Sequence, residues 1–584
     1  MNKVIIILLL VGSLIGPLFA DAKPSVSEAI PGRTALREAT LQNKLPQFKI
    51  ERKIEHSDLV VSALLLSAED ALNKGDEQSA IAIAQKAILF SSESPLPHFF
   101  LSHVYGLSDK ESILNALGEY ATAIRLSIGN FWILTASLGI IGLTLMITFH
   151  LCLLTFLLYC FAYYTPIWVH YAKERLPANI RNNAIIVVML FFALVLFFLL
   201  PYFWFIFISL FLFWFFYQPT EKILAATFLI GMIFSSFFLN PLLVMLTAKQ
   251  SYLLDKMVAN QGGEFLWSAP SFYEEETDWK VSFIKASYET QEHRIGGAEA
   301  LYRHALLKNP DEKRILNNLA NISFYRENFK EALAAYQKAI NHDPDYVAAH
   351  YNMGQVYNEM LAFEKGKAKY LEAKKIDQSL TEHYAQLAAS YPNYPVIEER
   401  LTQWELWEQL FLLYWNSEGR DNNILKLWIG GLSGIPFLIL IIFVGGGGLL
   451  ICGKLKGYVS GEFCPICHKT ICIRCQESFT NYNLCQECGT DMITGATKKA
   501  GEIPKRMIPV LMIPGGFQMT LQKPILALSL LVPFCFCVIL MLMGDVFLTS
   551  AHWHLSIANS NLLPGTIFFV YAVYLLDIYL RRRR

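Results

Sequence analysis

Apolar runs long enough to cross a bilayer constrain this chain more than any motif in it. Residues 131 to about 163 carry no charge, and at 1.5 Å of helix rise per residue they cover about 30 Å of hydrocarbon with tilt. Residues 184–217 are also uncharged but are interrupted at Pro201-Tyr202, so they read either as one oblique helix or as a hairpin of two short spans. Further apolar runs lie at 223–247, 424–452, 524–548 and 563–580. Only 17% of the chain is charged, against about 25% in an ordinary soluble domain. Lys+Arg and Asp+Glu both total 49, so the basic excess that phosphate recognition requires is missing and nucleic-acid binding is excluded. Charge is segregated along the chain, so membrane blocks alternate with water-soluble ones.

Lys3 precedes an apolar stretch at 4–15, and Ala20-Asp21-Ala22 supplies the small-x-small pattern of a signal-peptide cleavage site. Residues 1–22 are therefore expected to be a signal peptide. The alternative is an uncleaved anchor helix, for which the run is short. The loop after the first span carries Lys173, Arg175 and Arg181 against Glu174, residues 453–523 are rich in Lys and Arg, and the chain ends in Arg581-Arg582-Arg583-Arg584. By the positive-inside rule these segments face the cytoplasm, which leaves the N-terminal block and residues 249–423 outside. An even number of crossings must separate the two outer blocks, and reading 184–217 as a hairpin satisfies this with seven spans. His150 lies within a span, and Asp545 and Asp577 lie near span ends; no motif unites them.

Between about 280 and 415 the sequence repeats at an interval of 34: Ala298, Ala332 and Gly366; Tyr302, Tyr336 and Tyr370; Ala305, Ala339 and Ala373; Pro310 and Pro344, with Gln378 in the third copy. Small residues let two helices approach, the tyrosine fills the joint, and proline ends the second helix of each unit. This pattern resembles the tetratricopeptide repeat family. Phe283 to Tyr288 would begin the first unit; a fourth begins near Tyr384 and is expected to run into a long capping helix over 396–415. A poorer copy precedes the first span, carried by Gly75-Asp76, Ala80, Ala84, Ala87, Leu101, Tyr105, Ala116, Tyr120 and Ala123; a plain helical hairpin is its alternative.

The resemblance implies a concave groove lined by the first helix of each unit, and the register places Arg314, Asn317, Asn321, Tyr351, Gln355 and Asn358 there. Family members that capture a peptide's carboxylate terminus use several basic residues. Only Arg314 is available here, so that specific activity does not carry over. Asn and Gln can still hydrogen-bond an extended peptide backbone, which points to protein or peptide partners.

Six of the 11 cysteines form three C-x2-C pairs, Cys464/Cys467, Cys472/Cys475 and Cys485/Cys488. The first and third pairs are separated by 17 residues, inside the range of a tetrahedral zinc site, and a reducing compartment argues against disulfides. The segment resembles the later part of a FYVE-type treble-clef finger. That likeness implies that Cys464 and Cys467 share an ion with Cys485 and Cys488. The earlier pair that would complete a second site is absent, as is the family's basic lipid-reading motif, so Cys472 and Cys475 are left either to a partial site with His468 or to an alternative pairing with the first two. An all-thiolate set with no open position is structural rather than catalytic.

No phosphate loop, metalloprotease helix, nucleophile elbow or carboxylate pair appears, and the chain is not expected to be an enzyme. The expected architecture is mainly α: a polytopic helical membrane protein with two tetratricopeptide-like extramembrane domains (23–130 and 249–423), membrane helices at 131–248, 424–452 and 524–580, a zinc-finger segment at 453–523 and a basic tail at 581–584. The expected function is a scaffold in a bacterial cytoplasmic membrane, with the repeats outside recruiting protein partners and the finger inside. The alternative is a transporter or membrane enzyme whose multispan core carries the activity.

Overall fold

The computed structural model describes residues 53–55, 57–107, 113–175, 202–214, 217–262, 278–415 and 524–549, with short stretches at 461–463, 470–472, 488–490 and 569–575 and a few isolated positions. In chain order the helices are Asp58–Asn73 (α1), Glu77–Phe90 (α2), Leu96–Leu107 (α3), Ile113–Gly129 (α4), Phe131–Arg175 (α5), Tyr202–Leu212 (α6), Pro219–Thr247 (α7), Tyr252–Gly262 (α8), Trp279–Gln291 (α9) and Ile295–Lys308 (α10). They continue with Lys313–Tyr325 (α11), Phe329–His342 (α12), Val347–Glu359 (α13), Phe363–Ile376 (α14), Gln378–Ser390 (α15), Gln403–Trp415 (α16) and Pro524–Thr549 (α17). Gly461–Phe463 (β1) and Thr470–Cys472 (β2) pair antiparallel. The chain divides into two units, residues 1–136 with 247–412, and residues 137–246 with 413–584.

The first unit is built mainly of helical hairpins, α1 with α2, α3 with α4, α9 with α10, α11 with α12 and α13 with α14, followed by α15, which packs on α13 and α14. The small residues that set the interval of 34 are what the hairpins close on. Ala298, Ala305, Ala332, Ala339 and Ala373 are fully buried, as are Tyr302 and Tyr336, which fill the joints. Where the first two units have alanine the third has Gly366, because a Cβ there would stand 2.2 Å from Asn358 Oδ1 and 3.0 Å from the Gly354 carbonyl oxygen. The turn inside each hairpin has its own repeat: His293, Glu327 and Leu361 take φ of 58°, 61° and 59°. That region is unfavourable for a residue with a Cβ, and the same turn between α1 and α2 uses Gly75 at φ 81°. The N-terminal pairs thus share the hairpin geometry, with Ala80, Ala84 and Ala87 fully buried along α2 and Asp76 capping its start by accepting from Ser79 N at 3.0 Å.

The long capping helix expected over 396–415 is corrected. The helix starts only at Gln403, and residues 396–402 carry no helical structure. The Glu405 carboxylate closes the start of the helix, with Thr402 N and Oγ1 both donating to Glu405 Oε2 at 2.7 and 3.0 Å. Thr402-Gln-Trp-Glu405 is the capping-box sequence that marks a helix start. The backbone groups upstream of it are used elsewhere, as described below.

In the second unit, α5, α6, α7 and α17 contribute to one apolar core that includes Phe156, Phe203, Phe213, Met232 and Leu531. Among the described residues, two helical stretches, Phe131–Phe161 and Pro219–Thr247, are long and apolar enough to cross a membrane by length and composition. The expected boundary within 184–217 is partly visible: α6 begins just after Pro201, whereas 184–201 and nearly all of 424–452 lie outside the described residues.

Candidate functional site

The site is built on α11 and α13, the first helices of the second and third units. Asn318 and Asn352 occupy equivalent positions one repeat apart, and with Asn317 and Asn321 they are at most 2% exposed. A buried amide side chain must be fully hydrogen-bonded to be tolerated. These four find their partners in the chain's own extended segment 396–402, the strap. Asn352 Nδ2 donates to the Ile397 carbonyl at 2.8 Å, and Ile397 N donates back to Asn352 Oδ1 at 2.7 Å. Asn318 repeats the exchange two residues on, giving to the Glu399 carbonyl at 2.9 Å and taking from Glu399 N at 3.0 Å. Residues two apart in an extended chain present their peptide groups on the same edge, so one asparagine per repeat reads every second residue. Asn317 and Asn321 also donate to the Ile397 carbonyl, each at 3.0 Å, and Tyr336 OH braces Asn321.

The strap's side chains are held as firmly as its backbone. Val396, Ile397 and Leu401 are at most 3% exposed. Glu398 accepts from Tyr302 OH at 3.0 Å and lies 4.0 Å from Lys53 Nζ, and the Lys53 ammonium also sits over the Tyr394 ring. Burial pulls the Lys53 amine below its ordinary pKa, with Glu398 opposing. Glu399 accepts from Tyr384 OH at 2.8 Å; burial pushes its carboxyl above the usual range, against that hydrogen bond and the charges of Arg314 and Lys313. At the far end, Arg314 forks onto Glu405 at 2.7 and 3.0 Å and onto Glu312, over the face of Trp279. Burial alone would raise the Glu405 carboxyl, but hydrogen bonds from Arg314 and Thr402 hold it below the ordinary value. The strap's other edge meets the N-terminal segment and α8: Arg400 pairs with Glu55 at 3.0 Å, and Leu401 N donates to Asn260 Oδ1 at 3.1 Å.

The six groove residues expected from the repeat register fall into two sets. Arg314, Asn317 and Asn321 contact the strap or the start of α16. Tyr351, Gln355 and Asn358 line an open cavity of about 220 Å³ walled on the α14 side by Phe363, Lys367 and Tyr370. Sequence reasoning missed Asn318, Asn352, Tyr302, Tyr384 and Lys53. The interval of 34 between Asn318 and Asn352 was the available signal for the first two.

Of the cysteines, Cys472 ends β2 opposite Gly461 and Cys488 is buried; Cys464, Cys467, Cys475 and Cys485 lie outside the described residues. Among the described residues no group of three or more metal-capable side chains occurs. Within the apolar core of the second unit, His150 Nδ1 sits 2.7 Å from the Met146 carbonyl oxygen, and Glu221 accepts from Tyr159 OH at 3.1 Å, from Gln218 N at 2.9 Å and from Tyr164 OH. Asp577 lies outside the described residues, and of Asp545 only the place within α17 is described.

The family model described as TPR repeat matches residues 320–360, from the middle of α11 to just past α13. This stretch is similar to a tetratricopeptide repeat. It contains Asn321, Tyr336 and Asn352, and so the centre of the groove. No curated protein matches the chain.

Proposed function

We propose that the chain is a membrane-anchored scaffold that recruits protein partners through its tetratricopeptide repeats, which take the partner as an extended segment. Tetratricopeptide repeats are protein-interaction modules, which supports the general role. The observation that supports the specific reading is the paired exchange of Asn352 with Ile397 and of Asn318 with Glu399, in which the groove asparagines hold the backbone of the chain's own segment. The two long apolar stretches and the charge asymmetry of the loops support anchoring in a bacterial cytoplasmic membrane, with the repeats outside and the C-terminal segments in the cytoplasm.

The cytoplasmic segment is proposed to bind structural zinc. Its donor chemistry fits the ion, since three C-x2-C pairs fall in the sequence within and after a β1–β2 pair of only three residues per strand, too small to be stable on an apolar core alone. Cys464, Cys467, Cys485 and Cys488 would hold the metal, with Cys472 and Cys475 as the further candidates; its role there is to replace a core. No catalytic step is assigned, and the chain is read as a non-enzyme. The transporter or membrane-enzyme reading has one specific observation in its favour, the buried Glu221 between two tyrosines.

A photo-crosslinker placed at Gln355 in intact membranes tests the scaffold reading. One dominant protein adduct that disappears in the Asn352→Ala background is the expected result. The same adduct formed equally from the exposed outer position Lys338 would overturn it.

A further inference from the structure

The groove that reads peptides is already filled, and what fills it describes what it accepts. Ile397 is buried with its backbone exchanged against Asn352; the two following residues are glutamates, each held by a tyrosine hydroxyl, Glu398 by Tyr302 and Glu399 by Tyr384. Lys53 lies 4.0 Å from Glu398, and the charges of Arg314 and Lys313 favour the Glu399 carboxylate, with Glu312 opposing them. The strap runs against the order of the repeats, Ile397 at the third unit and Glu399 at the second. The polar lining of the groove is thus satisfied by one apolar residue followed by two acidic ones in extended conformation. A segment lacking those carboxylates would deprive the Tyr384 hydroxyl and the Lys53 ammonium of their strap acceptors and leave the Tyr302 hydroxyl only Ser287, which is how a buried polar site rejects a wrong ligand.

We propose that residues 396–402 are a built-in competitor and that the groove's partner is an acidic extended peptide of the pattern apolar-Glu-Glu, which binds by taking the strap's place. The proposal rests on the reading of the groove as a partner site and adds the partner's chemistry and the regulation. Because the competent state is populated only when the strap is out, the apparent affinity for a partner falls by the open fraction. The strap's second hold sets that fraction: Arg400 on Glu55, and Leu401 on Asn260 and Gln261. Anything that loosens the N-terminal segment against the strap therefore opens the groove.

The test uses the full chain in detergent and a synthetic peptide of the sequence 392–402, together with a version carrying glutamine in place of both glutamates. Hydrogen exchange should show the backbone amides of Ile397 and Glu399 losing protection when the peptide is added in excess, while α11–α14 keep theirs. In a strap-weakened variant, Arg400→Ala with Leu401→Ala, the peptide should bind about tenfold tighter than in the wild type, as removal of a closed-state penalty of that size requires. The glutamine version should bind both forms more weakly. If the two peptides bind the variant equally, the groove still reads peptides but the acidic class is wrong. If the peptide binds wild type and variant with the same affinity, the strap is no competitor. If neither peptide binds the variant while α11–α14 remain protected, the groove is not a partner site at all and the underlying reading fails. Should the variant lose its fold, the exchange experiment on the wild type decides alone: unchanged protection at Ile397 and Glu399 under saturating peptide overturns the proposal.

Discussion

The hairpins α1–α4 and α11–α14 close on the same kind of joint and do opposite things with their remaining surface. Both bury alanines against a neighbouring helix, and both turn through a residue at positive φ, Gly75 in one and Glu327 or Leu361 in the other. The second pair of hairpins then places Asn317, Asn318, Asn321 and Asn352 on its inner face and spends them on a peptide backbone. The first leaves Leu114, Leu117, Ile124 and Ile128 exposed along one side of α4. The lesson is that the joint makes the hairpin and the inner polar positions make the site, so the two can be perturbed separately.

The largest effect is expected from Asn352→Ala. It leaves the Ile397 N–H and part of the Asn317 and Asn321 oxygens without partners in a buried site, at about 1–3 kcal/mol per orphaned group. Protection of α11–α14 against hydrogen exchange in rising urea should fall by about 3 kcal/mol, while α1–α4 stay unchanged. Next comes the joint itself: Ala339→Trp overpacks a fully buried position and should cost about 1–3 kcal/mol or more, and Ala84→Trp in α2 should cost as much if the two joints are alike. A much smaller cost at Ala84, read from the same exchange experiment, would break the comparison.

Thr402→Ala removes the hydroxyl's bond to Glu405 at the start of α16 and should cost about 1 kcal/mol in that helix and the strap, while α1–α4, where Asp76 caps α2, stay unchanged. A smaller effect still concerns pH. The folded-state pKa of Glu405 is depressed, so its contribution is present above the unfolded value of about 4.3 and is lost as pH falls through the lower folded value. Glu405→Gln should therefore flatten the acid limb of a thermal-stability profile. Glu399 has the opposite sign: its folded-state pKa is raised, so the stability it lends is full at low pH and declines as pH rises through the folded value. Smallest of all, Leu117→Ser on the exposed side of α4 should change stability by about 0.5 kcal/mol or less. A larger loss would mean that this side is covered in the intact protein.

Much of this was legible in the residues. The interval of 34 fixed the hairpins, and Gly75-Asp76 marked the turn before α2. The turns at His293, Glu327 and Leu361 were not legible, since three chemically unrelated side chains share one backbone conformation that the packed helices on either side impose. The boundary at Gln403 was written in Thr402-x-x-Glu405, but it was masked by the apolar character of Val396, Ile397 and Leu401, which suits a helix and a buried extended segment equally well. Of the six expected groove residues, Arg314, Asn317 and Asn321 turned to the strap, because a segment 76 to 91 residues further along the chain folds back onto them.

The sequence by itself determined where helices close on one another, because close approach demands small side chains at fixed intervals and leaves a periodic record. It also determined which stretches are apolar enough to leave water. Only the tertiary structure decided what occupies the groove. An asparagine amide reads the N–H and C=O that every residue but proline carries, so nothing in the asparagines says whose backbone they will hold. That choice fell to the chain's own residues 396–402, which the folded repeats and the Lys53–Glu55 segment bring within hydrogen-bonding reach.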